Sequence, residues 1–416
     1  MKLVIIGAGS SYTPELVNGL AGNYDSLPFT EICLMDIDKD RLGILAGLTK
    51  RMVDKAGIPV TVTSTMDRRQ ALAGASFVNC LIRVGGMDAR INDERIPLKY
   101  DIVGQETTGP GGMIKALRTI PVILGLAQDM VEVCPDAWLI NYTNPSGIIA
   151  EALGKHSQVR YVGLCSGPRD WIEKMLHLMD VNPVRANVEW MGLNHLGFAT
   201  RVWVDGQDVT EQAVETVSKH WNVSGEWLRT LGMIPAHYLR YYYHHKAVVS
   251  EYQKPGHRGR GEQVKEIEAE LLRQYADPNL AARPGLLKQR GGGGYSAVAF
   301  AAMRAIHHNT GDRQIIQVLN QGAMDGIPDD ASVEVACLVD CTGPHPIRVG
   351  AIPLPIRGLI QAVKAYESLT VQAAVQESKR VAMQALMAHP LVTSWQVAQP
   401  LLDELFAANQ PWLPWV

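Results

Sequence analysis

Residues 1–16, MKLVIIGAGSSYTPEL, run from an apolar, β-branched stretch through Gly7-Ala8-Gly9 into a polar segment with proline near its start. A short strand that breaks at two glycines and re-forms as a helix lets the backbone approach a pyrophosphate at the helix N-terminus. The complete three-glycine pattern is absent, because Tyr12 stands at the third glycine position. The next apolar run, EICLMD at 31–36, ends in Asp36, an acceptor suited to an adenosine ribose hydroxyl and unfavourable to a ribose 2′-phosphate. The turn therefore predicts NAD as the ligand, with Gly7, Gly9, Ser10, Ser11, Tyr12 and Asp36 as its contacts.

The same alternation continues outward. Apolar runs at 59–65, 75–83, 137–143 and 160–165 are separated by amphipathic stretches, and 112–133 has apolar residues at helical spacing. This rhythm predicts an α/β, Rossmann-like doubly wound sheet. After about residue 165 it changes to the strand-like VEWMGL and ATRVWVDG, then to helices rich in aromatic and charged residues. A cofactor domain over 1–165 and a second α+β domain over 166–416 are expected, with the active site between them.

Bulk properties exclude several classes. The 416 residues carry a formal charge of −3, which offers no broad basic field for nucleic acid or an anionic membrane. The longest apolar runs fall far short of the roughly 20 residues of a membrane-spanning helix, and no secretory signal is visible. Six cysteines lack any CxxC spacing and read as reduced thiols, so a cytoplasmic setting is expected.

Further along, NYTNPSG at 141–147 follows a predicted buried strand and resembles the TNP turn of lactate and malate dehydrogenases near the nicotinamide ring; Asn144 is the contact expected there. Arg83, in LIRVGG, ends a predicted strand at the crevice, within reach of cofactor or substrate. Cys165 in GLCSGP and His195 in GLNHLGF each stand where a strand is expected to end. Spacing alone does not join them, since one thiol and one imidazole make an incomplete metal site.

The blocks GAGSSYTPEL, VGQETTGPGG, TNPSG, GLCSGP, GLNHLGF, YLRYY and RGEQVKEIE, with HPL at 389–391, occur in one order along the chain. In that order and near those spacings they resemble the NAD- and divalent-metal-dependent glycosidases of glycoside hydrolase family 4, in the 6-phospho-β-glucosidase branch. That family stands apart from the two-carboxylate chemistry of most glycosidases. The resemblance implies that Cys165 and His195 hold Mn2+ or another divalent metal, and that NAD+ takes the hydride from C3 of the sugar. A C3 ketone acidifies the C2 proton, whose loss expels the aglycone at C1; water adds, and the hydride returns.

The resemblance further implies that Tyr238, in AHYLRYYYHH, is the C2 base, with Tyr242 in reserve. Arg95 is the implied phosphate contact, Asn144 touches sugar hydroxyls, and Arg260 is nearby. It also implies a homodimer or homotetramer acting on a small phosphorylated glycoside. The branch commonly reads CNVP where this chain has Cys165-Ser166-Gly167-Pro168. Ser166 cannot act as the acid that some α-active members carry there. Alternatives are a glycosidase of the same family acting on a non-phosphorylated or α-linked sugar, a plain NAD-dependent hydroxy-acid dehydrogenase, and a non-catalytic sensor.

Overall fold

The computed structural model describes residues 1–221, 224–291, 293–413 and 415. Six strands follow the expected alternation: β1 (Lys2–Ile6), β2 (Glu31–Met35), β3 (Thr61–Thr65), β4 (Phe77–Cys80), β5 (Trp138–Asn141) and β6 (Arg160–Gly163). The helices between them are α1 (Thr13–Gly22), α2 (Lys39–Ala56), α3 (Arg68–Leu72), α4 (Gly86–Leu98), α5 (Gly109–Val133) and α6 (Ser146–His156). All six strands pair in parallel in the order β6-β5-β4-β1-β2-β3. Apolar residues of β1, β2, β4 and β5 are buried along most of their length, as a parallel sheet covered on both faces requires.

β1 lies between β2 and β4, so the chain winds away in opposite directions on its two sides. The ends of β1 and β4 thus open a crevice at the switch point, where ligands bind in doubly wound sheets. Local signals set the elements around it. Asp38 accepts hydrogen bonds from the amides of Asp40 and Arg41 to start α2, and Gly57 ends that helix at φ 67°.

The strands of the second half are not confined to sheets of their own. Three of its strands, Asp312–Leu319, Ser332–Asp340 and Gly343–Pro346, join the first sheet in antiparallel fashion beyond β6 and make it nine-stranded. Strands from both sides of the expected 165/166 boundary therefore share one sheet. Gly163 permits the junction, because a Cβ there would lie 2.9 Å from the Gln317 carbonyl oxygen. A smaller antiparallel sheet contains β7 (Ala186–Leu193), β8 (Leu196–Val204), Ile234–Pro235 and Gln207–Asp208. The β7–β8 turn is Asn194-His195, with His195 at φ 65°, a left-handed conformation uncommon for a residue with a side chain.

Candidate active site

A cavity of about 780 Å³ runs from the opening turn across the ends of β1 and β4 to the helices of the second half. Gly7 has φ 83°, and a Cβ on it would lie 3.0 Å from the Ile82 nitrogen. At Gly9 an added Cβ would lie 2.8 Å from an Asp36 oxygen. That close approach lets the Gly9 amide donate to Asp36 Oδ2 at 2.7 Å, while the Asp38 amide donates to Oδ1 at 2.9 Å. Asp36 thus stiffens the turn and still presents its carboxylate to the cavity. A dinucleotide fits this cradle, whose backbone a side chain at either glycine would obstruct.

Of the residues expected around the cofactor, Ser10, Tyr12, Arg83 and Asn144 also line the cavity. Ser11 does not: its buried hydroxyl donates to Glu268 at 3.0 Å. Glu268 also takes Arg290 at 3.0 Å and Arg41 at 3.3 Å, so the RGEQVKEIE block ties the second half to the opening turn. The Arg290 guanidinium lies 4.3 Å from the centre of the Tyr12 ring. Tyr12 therefore substitutes for the missing glycine as a cavity wall with a cation stacked on it.

Arg260 and Arg95 part company. Arg260 lines the cavity, donates to the Gln289 carbonyl at 2.7 Å and pairs with no carboxylate among the described residues. Arg95 is exposed, ion-pairs with Glu262 and is not part of the cavity wall. The helical period explains the difference: Arg90, Asp93, Glu94 and Pro97 form the buried face of α4, and position 95 points away from it. Arg90 is an α4 residue that does line the cavity.

Glu106, in the VGQETTGPGG block, gathers three cations: Arg83, Arg90 at 2.9 Å and Lys115 at 2.7 Å. Burial alone would raise its pKa, but the three positive charges outweigh that and hold the carboxyl well below its usual range. Lys115 shares its one carboxylate with two guanidiniums, and burial brings its pKa down to about 7.

Behind the cavity wall, Cys165 Sγ and His195 Nε2 lie 4.0 Å apart. Cys165 stands between β6 and α7 (Gly167–Leu178), and the Gly167 amide donates to its sulfur at 3.4 Å. Burial pushes the Cys165 thiol up to about 12, with Glu334 adding to the effect. Burial also pulls His195 down to about 4, which leaves the ring neutral and able to donate a lone pair. One cation could bond both atoms, with the thiol losing its proton on binding. Among the described residues no set of three or more His, Cys, Asp or Glu side chains surrounds a metal position, so further ligands would be oxygens from outside this pair.

The Tyr238 ring lies over His195 with centroids 4.2 Å apart and lines the cavity. Tyr242 is elsewhere: its hydroxyl meets His389 Nε2 at 3.3 Å, and His389 Nδ1 accepts the Leu391 amide at 3.3 Å. The HPL block therefore holds Tyr242 in a buried structural pair and leaves Tyr238 at the cavity.

Residues 2–181 match the family 4 glycosyl hydrolases, and residues 190–392 match the C-terminal domain of that family. The chain belongs to glycosyl hydrolase family 4. It is 44% identical, over its whole length and 97% of the relative, to a probable 6-phospho-β-glucosidase of Bacillus subtilis. Among solved structures, a 6-phospho-β-glucosidase from Thermotoga maritima with manganese, NAD+ and glucose 6-phosphate is 33% identical with a TM-score of 0.92, covering 99% of each chain. A 6-phospho-α-glucosidase from gut microorganisms with NAD and glucose 6-phosphate is 30% identical with a TM-score of 0.91, covering 100% of this chain and 99% of that one. As a family 4 glycosidase the protein is an enzyme, and the plain dehydrogenase and sensor readings fall away. Among the described residues no helix is long and apolar enough to cross a membrane.

Sequence reasoning missed Lys115, Arg90 and Glu268 as individual parts of this site. They come from three different helices, and only the block RGEQVKEIE carried a signal, for Glu268.

Proposed function

We propose that the enzyme hydrolyses a 6-phospho-β-glucoside by transient oxidation at C3, loss of the C2 proton, elimination at C1, addition of water and re-reduction. NAD and a divalent cation such as Mn2+ are its cofactors in this reading. The observation that carries it is the meeting of Cys165 and His195 directly behind Tyr238, which lines the same cavity as the Gly7–Gly9–Asp36 turn. The cofactors named for the Thermotoga and gut relatives support the same assignment.

When bound, NAD+ supplies the hydride acceptor for C3, and the cation supplies positive charge that polarises the C3 oxygen and favours a Tyr238 phenolate. Gly7 and Gly9 admit the pyrophosphate, and Asp36 accepts from the adenosine ribose. Cys165 and His195 hold the cation. Tyr238 takes the C2 proton; burial raises its pKa, Cys165, Glu106 and Glu334 add to that, and Arg90 alone opposes them, so without added positive charge it stays protonated. Arg260, which pairs with no carboxylate among the described residues, binds the phosphate, and Asn144 orients the sugar.

Ser166 puts a hydroxyl, not a carboxylate, at the position after Cys165 in the chain, which favours the β- over the α-linked substrate. The six unpaired cysteines support a reducing, cytoplasmic setting, and a homodimer or homotetramer belongs to the same reading.

The deciding experiment is release of p-nitrophenol from its 6-phospho-β-glucoside with and without catalytic NAD+ and Mn2+. Release that needs both and accumulates no NADH supports the proposal. Release independent of NAD+, or turnover of the α-anomer or the unphosphorylated sugar instead, overturns it.

A further inference from the structure

We infer that Glu334, in the C-terminal half of the chain, is a positioning residue for the cation site, acting on it through Asn194. Glu334 lies on the strand Ser332–Asp340 and is almost wholly buried. Its carboxylate accepts three hydrogen bonds: Gln317 Nε2 at 2.7 Å, Asn194 Nδ2 at 2.9 Å and Trp190 Nε1 at 3.0 Å. All three neighbours are donors, the arrangement that suits an ionised carboxylate and leaves a protonated one without an acceptor.

Among the described residues, no lysine, arginine or histidine forms an ion pair with Glu334. Burial raises its pKa to about 7, the three donors oppose that rise, and Glu367, of the same sign, adds to it. A buried carboxylate with no cationic side chain is costly unless something else supplies the opposite charge. Two of its donors belong to the β7–β8 hairpin: Trp190 lies on β7, and Asn194 immediately precedes His195 in the turn. Asn194 is thus the residue through which the carboxylate holds the turn that carries His195, one of the two expected ligands. Asn194 Oδ1 is buried and meets no donor among the described residues, as expected of an acceptor that a cation, water or sugar hydroxyl satisfies.

The arrangement is the one by which outer carboxylates orient metal ligands and tune their affinity. Gln317 carries it further, accepting from the Ser146 hydroxyl at 2.7 Å at the start of α6, directly after the Asn144 turn. Glu334 thus balances the charge of a divalent cation and fixes the left-handed turn that aims His195. The inference rests on the reading of Cys165 and His195 as the cation ligands.

The test is Mn2+ affinity of the full chain, read from the free-ion EPR signal, beside NAD+ affinity by calorimetry and far-UV circular dichroism. Glu334→Gln is expected to weaken Mn2+ binding about 10- to 100-fold with NAD+ affinity unchanged, and Glu334→Asp, which keeps the charge, to lose less. Wild-type Mn2+ affinity in a folded Glu334→Gln protein overturns the inference. Should that variant not fold, Asn194→Ala decides in its place, on the same expected loss and the same overturning result. Cys165→Ser separates the premises: if it too binds Mn2+ as tightly as the wild type, the ligand assignment fails rather than the role of Glu334.

Discussion

The rings of His195 and Tyr238 face each other with centroids 4.2 Å apart and planes inclined by 44°. One residue comes from a hairpin turn and the other from the short 3-10 segment His237–Leu239, 43 positions apart in number, and neither location suggests the other. Their contact sets the proposed base beside the proposed cation ligand.

Tyr238→Phe is expected to lower kcat by about 10²- to 10⁴-fold, the usual contribution of a positioned proton acceptor. Affinities for NAD+ and Mn2+ should stay near wild type. Tyr242→Phe should keep kcat within a few-fold, because its hydroxyl is committed to His389. The reverse ranking would exchange the roles of the two tyrosines.

Arg260 and Arg95 give a contrast in KM. Arg260→Ala should raise KM for the phosphorylated substrate about 10- to 100-fold, the loss of charge-assisted hydrogen bonds worth roughly 1.5–3 kcal/mol. Arg95→Ala, which breaks only an exposed pair with Glu262, should change it little. Steady-state kinetics on both variants checks this; a larger effect at Arg95 would return the phosphate contact to α4.

Asp36 both accepts the Gly9 amide and faces the cavity. Asp36→Ala should weaken NAD+ by about 10-fold or more and narrow the preference over NADP+. Competitive binding of the two dinucleotides measures it, and an unchanged ratio would detach Asp36 from the ribose.

The pH dependence of stability has a definite sign at His389. Burial lowers its pKa from 6.5 to about 3 in the folded protein, so between those values the unfolded chain takes up a proton that the native state refuses. Stability is therefore lost as pH falls below 6.5, by up to about 1.4 kcal/mol per unit from this residue. His195, lowered to about 4, adds a second loss of the same sign. Urea denaturation at about pH 7.5, 6.0 and 5.0 should show a shallower acid decline for His389→Gln than for the wild type. Equal slopes would mean that His389 is not buried neutral.

Much of the fold could be read along the chain because its signals are local. Apolar runs of strand length, Gly7-Ala8-Gly9 and Asp36 act within one βαβ unit, where spacing of a few residues dictates geometry. The helical period of α4 held the information that separates Arg90 from Arg95, but using it requires knowing which face meets the core. The motif blocks brought Cys165, His195 and Tyr238 together only through family resemblance, since nothing in their spacing requires contact.

By itself, then, the sequence determined the parallel α/β sheet and the dinucleotide-type turn, through short-range periodicity and backbone freedom. Only the tertiary structure decided which tyrosine faces His195, which arginines reach the cavity, and that Glu334 stands behind Asn194. The last of these depends on strands from residues 312–346 extending the sheet beyond β6, and the others on which helix faces and side chains meet across the fold. Long-range packing fixes such pairings, and no period or spacing in the chain encodes them.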